Sequence, residues 1–179
     1  MNRRLATLAL ALLSLTACTR TLPALYAPQS ASTLKGSASV GKVRYLAHER
    51  DGFDADQLDD STAGDVKLSK PVADFVRGAI VSELRAVGVQ VSDNAPNVVR
   101  ADVESFEVGT AGFSVEWHVT MRLGIERRSD SQLLYAAMFE GRLDGASSEP
   151  SDMTNCAAAV VAQALLEFLQ QEEVRRLLS

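Results

Sequence analysis

Apolar and polar residues alternate strictly through positions 113–127. Phe113, Val115, Trp117, Val119, Met121, Leu123 and Ile125 interleave with Ser114, Glu116, His118, Thr120, Arg122, Gly124 and Glu126. A period of two sends successive side chains to opposite faces, so this stretch predicts a long strand with one face buried. Residues 98–108 alternate through Val99, Ala101 and Val103, then change phase at Phe106 and Val108, which predicts a bulge near Ser105. Residues 132–143 place Leu133, Tyr135, Ala137, Phe139 and Leu143 on one face, yet Leu134, Ala136 and Met138 on the other are also apolar. That strand is expected either in the centre of a sheet or with its second face covered. Arg128 to Ser131 reads as the turn before it. Val40, Val43, Tyr45 and Leu46 mark an earlier strand over residues 38–47.

Two segments carry helical spacing instead. Val72, Phe75, Val76, Ala79, Ile80, Leu84 and Val87 recur at steps of three and four. Ser69 is placed to cap this helix, Pro71 suits its first turn, and Gly88 suits a left-handed end. Val89 to Val91 is a short extended piece, and residues 92–97 read as a turn. The second helix starts near Ser151 or Asp152, with Met153, Ala157, Val160, Val161, Ala164, Leu165, Phe168 and Leu169 as its apolar stripe. The phase changes after Gln170, so Val174, Leu177 and Leu178 suit a separate helical turn. The order strand, helix, strands, helix predicts an α+β fold, an antiparallel sheet with two main helices packed on one face. In that arrangement Trp117 faces the helices beside Phe75, Ile80, Leu165 and Phe168.

Two other stretches lack sustained periodicity. Residues 18–37 hold Pro23, Pro28 and Gly36 among Ser, Thr and Ala, and read as a tether. Fully extended, residues 19–37 would reach roughly 60 Å at about 3.4 Å per residue. Residues 48–68 carry seven acids, among them Asp54, Asp56, Asp60 and Asp65, and read as a mobile loop. Residues 38–179 form the single expected domain.

The N-terminus sets the compartment. Arg3 and Arg4 precede an apolar run from Leu5 to Leu15, and Leu15-Thr16-Ala17-Cys18 closes it. The run is too short for a membrane span, which takes roughly 20 apolar residues, and has the build of a secretory signal. Leu-Thr-Ala-Cys resembles the bacterial lipobox at all four positions. The resemblance implies cleavage of residues 1–17 and lipidation of Cys18, with acyl chains that hold the protein to a membrane. Thr19 stands where an aspartate would signal inner-membrane retention, so the expected location is the outer membrane, facing the periplasm.

Charge and composition narrow the partners. Loss of residues 1–17 leaves 16 basic against 23 acidic residues, and only Arg127-Arg128 and Arg175-Arg176 are adjacent basic pairs. This is no footprint for nucleic acid. Once Cys18 is acylated, Cys156 is the single thiol, expected as a small core residue. Two histidines and one cysteine do not make a usual zinc site. Ser114, Glu116 and His118 are the residue types of a hydrolytic triad, but at alternate positions on one strand they lie about 6.8 Å apart along the backbone, beyond the contact that a nucleophile and its base need. His48 is expected on the exposed loop. Asp54, Asp56, Asp60 and Asp65 fall at positions 1, 3, 7 and 12 of a calcium-loop frame, but Leu58 and Asp59 spoil it, and no glutamate closes it. No catalytic residue, metal or cofactor is expected.

The chain as a whole resembles the YajG-type small lipoproteins and the auxiliary lipoproteins of envelope ABC transporters. The resemblance lies in the lipobox, the strand from Val40 to Leu46, the helix-to-strand passage from Val76 to Val91, the long alternating strand, and a terminal helix followed by a charged break. It implies a non-enzymatic periplasmic domain on a lipid anchor that binds another envelope component. The alternative within the same resemblance is an auxiliary subunit of an ABC-type lipid or solvent transport system. The candidate partner face is Leu134, Ala136 and Met138, rimmed by Glu116, His118 and Arg122.

Overall fold

The computed structural model describes residues 19–30, 33–60, 65–111, 114–146 and 150–179. Residues 1–17, Cys18 and Phe113 lie outside them. In chain order the elements are β1 (Arg20–Leu22), β2 (Ser37–Tyr45), α1 (Leu46–Asp51), β3 (Asp59–Asp60), β4 (Val66–Leu68), α2 (Val72–Ala86), β5 (Gln90–Val91), β6 (Asn97–Ala111), β7 (Ser114–Arg127), β8 (Leu133–Ala146), α3 (Pro150–Gln170) and α4 (Glu172–Leu177). The fold is mixed α+β. Among the described residues no helix is long and apolar enough to cross a membrane.

The main sheet has the order β5-β2-β6-β7-β8, with β3 pairing the far end of β6. β6, β7 and β8 are antiparallel, but β2 runs parallel to both β5 and β6, and β3 runs parallel to β6. The sheet is therefore mixed, where a purely antiparallel one was expected. Side-chain alternation reports which face a residue occupies; it carries no information on the direction of the neighbouring strand.

Phase and register agree in the centre. Val99, Ala101 and Val103 pair with Ile125, Leu123 and Met121; the register then slips between Val103 and Ser105, and Phe106 and Val108 meet Val119 and Trp117. The slip returns the phase-shifted apolar residues to the same face. Trp117 is fully buried, edge-on to Phe106 with ring centroids 6.4 Å apart. Val76 and Ile80 of α2, and Val160, Val161, Leu165 and Phe168 of α3, belong to the same buried cluster. At the other end of it Phe168 packs edge-on against Phe139 at 5.6 Å. Gly141 lets α3 approach β8, since a Cβ there would lie 1.8 Å from the Val160 carbonyl oxygen.

The C-terminal end of α2 follows local chemistry, and its N-terminal end does not. Gly88 has φ of 87°, and its N–H donates to the Arg85 carbonyl. Ser69 does not cap α2, which has Pro71 at its N-cap and no side-chain cap bond. The Ser69 hydroxyl instead accepts the Ala24 N–H at 2.9 Å. Val174 and Leu178 are buried through the separate helix α4.

Both segments without periodicity are built into the domain. In the stretch read as a tether, Arg20, Thr21 and Leu22 pair in parallel with Val66, Lys67 and Leu68, and Leu22 is fully buried. Ala24 and Leu34 are buried as well. The described residues of the acidic stretch are not a free loop: they include most of α1, together with β3 and β4. Leu58, Val66 and Leu68 enter the core, and Lys67 joins Asp54 at 2.5 Å and Asp56 at 3.9 Å. Elements of two to six residues are too short to display a period, so single apolar residues among acids hid them.

Candidate functional site

The side of β7 that turns away from the buried cluster carries Glu116, His118, Thr120 and Arg122. Pairing across the sheet sets Glu107, His118 and Arg142 in one row, and Asp102, Arg122 and Met138 in another. Gly124 separates Arg100 from Ala136 in a third. Met138 is 41 % exposed, and Ala136 is exposed. Five of the six residues expected on the partner face therefore share it.

Leu134 does not. The β7–β8 register slips between Ile125 and Glu126, so that Leu133 faces Glu126, while Leu134 is half-buried against the core. Leu133, 61 % exposed, takes its place. An alternation counted along β8 alone cannot locate a slip made against β7.

Ion pairs, most of them between neighbouring strands, organise the polar groups of this face. Arg100 Nε lies 2.7 Å from Glu126, and Arg44 lies 2.6 Å from Glu49 and 3.7 Å from Asp102. Arg122 is 3.8 Å from Glu104. His118 sits between Glu107 at 3.9 Å and Glu140 at 3.5 Å. The hydrogen bond to Glu49 holds the Arg44 guanidinium above its ordinary pKa, and the bond to Asp144 does the same for Arg142. A depression of about 360 Å³ lies among Lys42, Arg44, Arg100, Arg122, Leu133 and Ala136. A second, of about 240 Å³, lies around Glu107, His118 and Arg142. Of the basic side chains of the first, Lys42, Arg44 and Arg100 come from β2 and β6; alternation along β7 marks only Arg122, because the partnership with the other three exists only in the strand order.

His48 lies on α1, exposed, with Nδ1 2.6 Å from the Phe53 carbonyl oxygen. Of the calcium frame, Asp54 and Asp56 are occupied by Lys67, Gln57 donates to Asp65 at 3.2 Å, and Leu58 points into the core. Among the described residues no group of three or more His, Cys, Asp or Glu could hold a metal ion. Cys156 is buried on α3, and burial raises its thiol pKa, which favours the unreactive form.

Solved structures share this architecture. Protein XCC0632 from Xanthomonas campestris, of the DUF330 family, superposes with a TM-score of 0.68 at 12 % identity, over 89 % of this chain and 97 % of its own. The hypothetical protein CT253 from Chlamydia trachomatis gives 0.51 at 11 % identity, over 80 % and 95 %. A looser likeness, 0.48 at 14 % identity over 79 % and 94 %, is to a minor lipoprotein from Acinetobacter baumannii. At such identities the likeness is one of fold. No family model and no curated protein sequence matches the chain.

Proposed function

We propose that this protein is a non-enzymatic lipoprotein of the bacterial outer membrane, anchored through Cys18 and facing the periplasm, and that it works by binding another envelope component. The observation that carries the binding role is the outer face of β7 and β8. Exposed Leu133, Ala136 and Met138 lie there beside Arg122 and the ion pairs of Arg44 and Arg100. Large apolar side chains rimmed by ordered charges suit a protein partner, since the apolar centre supplies affinity and the charges supply register. Catalysis is disfavoured by geometry, because Glu116 and His118 occupy separate rows of the sheet. The auxiliary-subunit reading rests on the same resemblance as the first, carried by the lipobox, the strand from Val40 to Leu46, the passage from Val76 to Val91, the long alternating strand and the terminal helix with its charged break.

A photoreactive residue at Met138, introduced in cells, tests the proposal. A discrete adduct with one envelope protein is expected, and a transporter permease or substrate-binding protein in that adduct would select the auxiliary-subunit reading. Membrane-bound protein that yields no adduct from positions 133, 136 or 138 would contradict the binding role.

A further inference from the structure

We infer that the lipid anchor seats this domain directly on the phospholipid headgroups, with the end formed by β1, β4 and the first turn of α3 against the bilayer. The inference rests on the lipoprotein reading, and deepens it by giving the domain a second contact surface. Its basis is how little free chain separates Cys18 from the fold. Arg20, the second residue after the cysteine, already donates its N–H to the Asp65 carbonyl at 2.8 Å. Its guanidinium Nη1 lies 3.0 Å from Met153 Sδ, and the next two residues continue the parallel pairing with β4. Release of this strand would expose Leu22, which is fully buried, and would strip the Ala24 N–H from Ser69.

Two residues span at most about 7 Å. The headgroup layer of one leaflet is about 5–7.5 Å thick, half the difference between the whole bilayer and its hydrocarbon core. The start of β1 is therefore confined to the surface of the headgroups. A free stretch over residues 19–37 would have let the domain roam roughly 60 Å into the periplasm. The occupant of this end is the membrane itself, and the domain meets its protein partners close to the bilayer.

The first turn of α3 lies beside Arg20, whereas Gln170, at the other end of the same helix, is about 26 Å from Met153 at 1.5 Å per residue. Asp152 and Gln170 are both exposed, and so can each carry a reporter. Full-length protein carrying Cys156→Ala and either Asp152→Cys or Gln170→Cys is labelled with a thiol dye. It is then reconstituted into vesicles of phosphatidylethanolamine and phosphatidylglycerol containing an acceptor-labelled headgroup. Energy transfer from position 152 is expected severalfold above that from position 170, and a long Gly-Ser insertion between Cys18 and Thr19 is expected to abolish the difference. Intact mass of the same samples reports acylation. Acylated protein with equal transfer from both positions overturns the seating, whereas protein without acyl chains overturns the lipoprotein reading and the seating with it.

Discussion

The Tyr26 hydroxyl donates to Glu83 Oε1 at 2.5 Å, joining the N-terminal segment to the last turn of α2. The same carboxylate accepts the N–H groups of Gln29 at 2.8 Å and Ser30 at 3.0 Å. Glu83 is 1 % exposed, and three donors compensate the burial of its charge. Glu83→Ala orphans all three and is expected to cost roughly 2–4 kcal/mol, whereas Glu83→Gln keeps an acceptor and costs less. Urea denaturation measures both. Equal stability of wild type and Glu83→Ala would contradict the clamp.

Burial, and then the hydrogen bond and charge of Glu83, raise the Tyr26 phenol above its ordinary value of 10.0. Tyr45 is also raised, by burial first and then by Asp59, Asp51 and Glu107. The folded state favours both neutral phenols. Their contribution is complete below about pH 10 and is lost as the pH climbs through the raised values. Stability is expected to fall above pH 10, less steeply in Tyr26→Phe and less steeply again when Tyr45 is also Phe. Denaturation midpoints across the alkaline range measure it; identical slopes would count against the burial of these hydroxyls.

Gly141 is the point at which α3 lies closest to β8. Gly141→Ala forces Cβ into the Val160 carbonyl, so helix and strand must separate. A loss of about 1–3 kcal/mol is expected, as for other overpacked sites, together with weaker packing of Phe168 on Phe139. Calorimetry distinguishes this from Gly78→Ala, where no atom lies near the added Cβ and the helix gains propensity.

Long periodic elements were legible from sequence, and short ones were not. Trp117 and its alternate neighbours have only one face that buries them all, so β7 and its buried side could be read directly, as could the bulge that keeps Phe106 in phase. The stripes of α2 and α3 were legible for the same reason. The parallel pairing of β2 was not, because direction leaves no mark on alternation. β1 escaped notice because three residues cannot show a period, and because the partner that holds them, Val66 to Leu68, lay among acids. On the candidate face, Met138, Ala136 and Arg122 followed from alternation, whereas the exchange of Leu133 for Leu134 depends on a register slip visible only once β7 and β8 are paired.

Met138 lies opposite Arg122, so Met138→Glu places a carboxylate beside a cation on an exposed face. Stability is expected to change by no more than about 0.5 kcal/mol, while the adduct formed by a photoreactive residue at Leu133 disappears. A variant that unfolds would show that Met138 serves the core; a variant that keeps the adduct would show that the partner sits elsewhere.

The anchor is the premise on which location and reach depend, and labelled palmitate tests it most directly. Cells expressing the full chain or Cys18→Ala are labelled, and their membranes are separated by density. Label is expected in the full chain, confined to outer-membrane fractions, and none in Cys18→Ala, which should accumulate as the longer precursor. Label that persists in Cys18→Ala, or full-length chain that is unlabelled and freely soluble, would contradict it.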